Sequence, residues 1–229
     1  MRLDKFICKS TEMSRNEAKK ALRYGKVKVD GEVVKSSTFN VLDSHEVTFD
    51  GELISLLGER YIMLHKPEDM ICSNIDELHP SILNLIDLPR AFELNIAGRL
   101  DVDTTGLVLL SDNGQWTHKI TSPKKHCEKV YRVILSEDIT QAMIDELTTG
   151  VQLNNEADLT QPAKVNVIDA RQVELTIFEG KYHQVKRMFA AVGNKVLELH
   201  RQKIADIELD DSLSEGEWRY LTEAEISCI

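Results

Sequence analysis

The chain is poor in the residue groupings that build metal centres, crosslinks and membrane anchors. Its four cysteines, Cys8, Cys72, Cys127 and Cys228, lie far apart and form no CxxC pair, so neither a zinc site nor a disulfide framework is expected and all four read as free thiols. No window approaches eighteen uninterrupted apolar residues, and the opening "MRLDKFICKS" is charged within its first five positions. A membrane span and a signal peptide are therefore not expected, and a cytoplasmic location without a membrane partner is. The chain also has no dinucleotide-binding glycine fingerprint, no P-loop and no metal-ligand spacing, so no cofactor and no metal is expected. Internal repeats and low-complexity segments are absent too.

What is present is a folded chain with an uneven charge. The 229 residues, 42% hydrophobic, suffice for a medium-sized domain with a small companion. The net charge of −10 argues at first against a polyanionic partner, yet residues 1–35 hold ten Lys/Arg against five Asp/Glu. A basic head that grips a polyanion, on an acidic and soluble body, fits that asymmetry; an ordinary solvated helix face fits it as well.

Within that head, "RLDKFICKS" and "SRNEAKKALRYG" each read as a short helix. In the second, Ser14 serves as N-cap with Glu17 three residues on, and Gly25 as terminator. "KVKVDGEVVK" alternates apolar and charged residues about Asp30-Gly31, a hairpin signal. Two helices and a basic hairpin over residues 1 to about 45 resemble the S4 domain, an RNA-binding module. The resemblance places Arg2, Lys5, Ser14, Arg15, Arg23, Lys26 and Lys28 on the surface that meets RNA backbone. Contacts of that kind position a protein on RNA without reading its sequence.

"DGELISLLGER" is mixed in character, which puts a boundary near residues 55–60 and divides the chain into 1–57 and 58–229. The second part opens with "RYIMLHKP", a strand closed by proline. Further strands are expected at 107–110, 129–135, 163–168 and 171–178. One helix is expected over "TQAMIDELTTG", between a Thr140 cap and Gly150, and another over "YHQVKRMFAAVG", ended by Gly193. Strands outnumber helices and short turns link them, so the fold class is α+β with a largely antiparallel sheet.

The chemistry concentrates in "AGRLDVDTTGLVLLSDNG", residues 97–114. "DVDTT" matches the DxDxT pattern of magnesium-dependent aspartyl-phosphate phosphatases. That pattern needs a buried strand directly before it and a second acidic pair downstream, whereas Arg99 intervenes and no Gly-Asp dipeptide occurs. "GRLD" followed by "DTTGLVLLS" instead resembles the signature of pseudouridine synthases of the RsuA and RluA type. "RYIMLHKP", "CEKVYRV", "EGKYHQVKRMFAAVGNKVLELHR" and "LTEAEI" extend the likeness over nearly the whole chain.

The resemblance implies a catalytic aspartate at Asp101. It implies that Tyr131 stacks on the target uracil and is a candidate base for the last proton removal, and that the basic residue at Lys186 pairs with the aspartate. Arginine is commoner at that last position, and lysine offers a point donor in place of a planar fork. A helix would set His183 and Lys186 on one face at i and i+3. With Lys181 and Arg187 they form a basic cluster that would meet RNA. Arg99 would hold a phosphate or occupy the space that the target base vacates. Asp103, with Thr104 and Thr105, is expected to fix the turn into the aliphatic strand. The implied reaction isomerises one uridine of small-subunit ribosomal RNA, free or partly assembled, and needs no cofactor because nothing is oxidised, reduced or passed to another molecule. A large-subunit target within the same family and a non-catalytic S4-type adaptor are the alternatives. One asymmetric RNA site gives no reason for symmetry, so a monomer is expected.

Overall fold

A computed structural model describes residues 1–11, 13–56 and 58–229. The chain divides into two units, Met1–Glu59 and Arg60–Ile229. Residue 57, where the sequence places the end of the first domain, lies outside the described residues.

The first unit contains helices α1 (Leu3–Ser10) and α2 (Arg15–Arg23) and strands β1 (Val27–Val29), β2 (Glu32–Val33), β3 (Val47–Phe49) and β4 (Glu52–Leu53). Leu3, Phe6 and Ile7 of α1 and Ala18, Ala21 and Leu22 of α2 recur at three- and four-residue spacing, and their shared faces bury one small core with Val27, Val29 and Val47. The start of α2 is a complete capping box: Ser14 Oγ accepts from the Glu17 amide at 3.4 Å, and the Glu17 carboxylate accepts from the Ser14 amide at 2.8 Å. The β1–β2 hairpin turns at Asp30 and Gly31, both at positive φ, as an Asp-Gly pair favours. Asp50 and Gly51 repeat that turn between β3 and β4. The start of the mixed stretch "DGELISLLGER", ahead of the boundary expected near residues 55–60, is thus a second hairpin, made by the same Asp-Gly chemistry.

The second unit is built on a sheet of nine strands among the described residues. In chain order it contains β5 (Tyr61–Lys66), β6 (Asn95–Ala97), β7 (Thr105–Ser111), α3 (Gly114–Thr121), β8 (Lys129–Leu135), α4 (Gln141–Thr149), β9 (Lys164–Asp169), β10 (Gln172–Ile177), α5 (Gln184–Ala191), β11 (Val196–Ile204), β12 (Ile207–Glu208), β13 (Trp218–Tyr220) and α6 (Glu223–Ser227). The strand order is β13-β5-β7-β11-β8-β10-β9, with β6 on β7 and β12 on β11. Every pairing is antiparallel except β7 with β11, which makes the fold α+β with a largely antiparallel sheet.

Period-two alternation explains the aliphatic run in β7. Val108 and Leu110 join Ile62 and Leu64 in the main core, while Leu107 and Leu109 join Met63, Trp116 and Ile204 on the other side. Both faces of β5 and β7 are covered, so their sequences read as continuous apolar runs. Where β7 meets β11, Gly106 (φ +106°) faces Arg201, and a Cβ there would lie 2.3 Å from the Arg201 carbonyl oxygen. Only glycine permits that approach.

Candidate active site

The loop from Gly98 to Thr104 joins β6 to β7 and carries Arg99, Asp101 and Asp103. Gly98 turns it at φ +88°, and the Thr104 amide donates to the Asp101 carbonyl at 3.1 Å. Two buried cations hold the loop by its backbone. Lys66, fully buried at the end of β5, donates Nζ to the carbonyls of Pro67 (2.8 Å), Val102 (3.2 Å) and Thr104 (2.8 Å), which uses all three of its protons. Burial pushes the Lys66 ammonium below its ordinary pKa, against the pull of Cys72, Asp103 and Asp101. Arg201, 1% exposed on β11, donates to the carbonyls of Gly98 (2.7 Å), where the loop begins, and of Leu107 (2.8 Å), in β7 just beyond it.

Helix α5 brings the basic residues. Its N-cap, His183, sits in the left-handed region (φ 48°) and stacks on the exposed ring of Tyr182. His183 Nε2 lies 3.3 Å from Asp101 Oδ1, and Lys186 Nζ lies 3.4 Å from Asp101 Oδ2. Lys186 also hydrogen-bonds Asp103 Oδ1. The expected pairing of Asp101 with Lys186 is thus accompanied by a second donor, His183.

Asp103, expected to fix the turn, also hydrogen-bonds Lys186. Partial burial opposes ionisation of Asp103, but the bond and charge of Lys186 prevail and hold the carboxyl below the usual range. Thr105 Oγ1 bonds His200 Nδ1 at 2.8 Å, so of the three turn residues it is tied to β11.

Tyr131 lies on β8, 7% exposed, between Leu175 of β10 and Arg201 of β11. Among the described residues it makes no hydrogen bond to Asp101; its hydroxyl stands 3.5 Å from the Arg201 guanidinium. Lys181 and Arg187 are committed elsewhere. Lys181 Nζ lies 3.0 Å and Arg187 Nη1 3.3 Å from the Glu156 carboxylate, and Arg187 also donates to the Tyr182 and Asn154 carbonyls. They brace the start of α5 against the 151–163 segment. Arg99 is exposed and, among the described residues, has no ion pair.

Of the first unit's cluster, Arg2 is paired with buried Asp4 (2.8 Å), Lys26 with Asp50 (2.7 Å), and Ser14 is spent on its cap. Lys5, Arg15, Arg23 and Lys28 are exposed with no ion pair among the described residues. Sequence reasoning missed Lys66 and Arg201. The available signal was a cation at an inward position of an apolar strand, Lys66 after "YIMLH" and Arg201 within "VLELHRQKI".

The chain is similar to known proteins along nearly its whole length. Residues 60–191 match the family described as RNA pseudouridylate synthase, and residues 1–47 match the S4 domain. The ribosomal small subunit pseudouridine synthase A of Escherichia coli (strain K12) is 52% identical over 230 residues, covering 100% of both chains. The protein of the same name from Haemophilus influenzae is 51% identical over 227 residues, covering 99% of this chain and 98% of its own. A solved structure described as a pseudouridylate synthase superposes with a TM-score of 0.72 at 50% identity, covering 99% of this chain and 98% of that one. With Asp101 and its two basic partners inside the matched span, the chain belongs to the RNA pseudouridylate synthase family and carries an S4 domain ahead of the synthase domain.

Proposed function

We propose that the protein isomerises one uridine of small-subunit ribosomal RNA, uridine 516 in bacterial numbering, to pseudouridine. The observation that carries this reading is the convergence of His183 and Lys186 on Asp101, in a loop whose backbone two buried cations hold. The full-length likeness to small-subunit pseudouridine synthases supports small-subunit ribosomal RNA as the substrate.

The reaction breaks the N1–C1′ glycosidic bond, turns the uracil and rejoins it through C5. Asp101 acts as the ionised carboxylate, with Lys186 and His183 as its cationic and hydrogen-bonding partners. Attack on the ribose, attack on the base and removal of the C2′ proton each need an ionised carboxylate held in place. Tyr131 contributes its ring to the unstacked uracil and its oxygen to the final proton removal. The unpaired Lys5, Arg15, Arg23 and Lys28 hold RNA phosphates. Unstacking the target costs a few kcal/mol, which these phosphate contacts offset. The enzyme works in the cytoplasm as a monomer and uses no metal.

The test is incubation with a small-subunit transcript and, separately, a large-subunit transcript, in EDTA, followed by carbodiimide treatment and primer extension. One new stop at the proposed uridine supports the reading. A stop only in the large-subunit transcript moves the substrate to that RNA, and no stop in either, from free RNA or from assembly particles, overturns the activity.

A further inference from the structure

Beside Arg99 lies a cavity of about 430 Å³ that the reaction does not use, walled by the 72–74 segment, β6 and α3. We propose that it is a second base-binding pocket, which takes a nucleotide neighbouring the target uridine and favours a base with an exocyclic amino group. The proposal rests on the synthase reading above.

The size falls in the range of small-ligand sites. The polar inventory is specific. Asn74 Nδ2 donates to the Phe92 and Leu94 carbonyls at 2.8 and 2.9 Å, and Asn95 Nδ2 donates to the Ser111 carbonyl at 2.9 Å. Each bond fixes which end of the amide is nitrogen. Both Oδ1 atoms are left as acceptors without a partner among the described residues, on side chains that line the cavity. Arg99 and His118, also lining it, are exposed and likewise free of ion pairs. Ile96 adds an apolar surface for a base plane.

Two preset acceptors select for a ligand with amino donors. Adenine, cytosine and guanine carry an exocyclic amino group, whereas uracil presents a single N–H between two carbonyls. The unpaired Arg99 supplies the cation for the accompanying phosphate. Because Arg99 is two residues from Asp101, a nucleotide seated here is a near neighbour of the reacting one. Among the described residues no Phe, Tyr or Trp lines the cavity, and the exposed His118 imidazole is the ring that does, so the two amide acceptors read the edge of the base.

The experiment is a mutant cycle in single-turnover kinetics. Wild type, Asn95→Ala and His118→Ala, both at exposed positions, are assayed on small-subunit RNA fragments in which each nucleotide near the target is made abasic in turn. One abasic position should lower wild-type kcat/KM by about tenfold. Asn95→Ala should show a similar loss on intact RNA, and that abasic substitution should then add little. Restoring the position with uridine should leave wild type slow, whereas an amino-bearing base should restore it. The pocket is overturned if Asn95→Ala and His118→Ala stay within about twofold of wild type, or if every abasic effect is additive with theirs. Failure of wild type to form pseudouridine on intact RNA is a different result, which removes the synthase reading on which the pocket rests.

Discussion

The Arg201 guanidinium donates to the carbonyl of Gly98 at 2.7 Å, across 103 positions of sequence, and so sets where the loop bearing Asp101 begins. The same side chain reaches the Leu107 carbonyl and stands beside the Tyr131 hydroxyl. Replacing Arg201 by Met should take the donor from the buried Leu107 carbonyl, at about 1–3 kcal/mol, and from the part-buried Gly98 carbonyl, at less, and lower both the melting temperature and kcat. Arg201→Lys should recover only part, since a point donor cannot span both carbonyls. Thermal unfolding and single-turnover rates measured together check this; full activity in a stably folded Arg201→Met would refute the positioning role.

Lys186 is shared between two carboxylates, of which Asp101 is the one proposed to carry the chemistry. Asp103→Asn is expected to keep most turnover, because Lys186 then serves Asp101 alone. Lys186→Met should lose on the order of 100-fold in kcat. Equal losses in the two variants would show that the Lys186–Asp103 pair is what matters.

His200 gives the fold a pH dependence. Burial, then the neighbouring His65 and Arg132, lower its pKa from 6.5 to about 4. The unfolded chain therefore binds more protons than the native one between those values, and stability must fall as pH drops through that window. Melting temperatures from pH 7 to pH 4 should decline less steeply in His200→Gln than in wild type. Parallel curves would remove His200 from the account.

What the sequence revealed and what it hid follow physical lines. The alternation in "KVYRVIL" specifies β8 over the residues observed, and the Ser14–Glu17 box and Asp30-Gly31 turn are local chemistry that needs no tertiary context. By contrast, β11 escaped notice because register shifts between Val196 and Glu198 and between Arg201 and Lys203 break its period. Helix α3 was missed because it is short and begins at a glycine, with its start fixed by Asn113, whose side chain accepts from the Gln115 and Trp116 amides. In the site, the pairing of Asp101 with Lys186 was legible through the motif that each belongs to. Lys66 and Arg201 were not, since a lone cation in a strand reads as surface until the carbonyls that surround it are known. The commitment of Lys181 and Arg187 to Glu156 was hidden for the same reason, its partner lying in a distant loop.

The most direct test of the central claim is pseudouridine formation by Asp101→Asn, read beside its affinity for the same small-subunit RNA. The amide keeps the side chain's shape while removing the ionised carboxylate. Binding within about threefold of wild type and no product is the expected result. Appreciable turnover by that variant would contradict the assignment of Asp101 as the catalytic group.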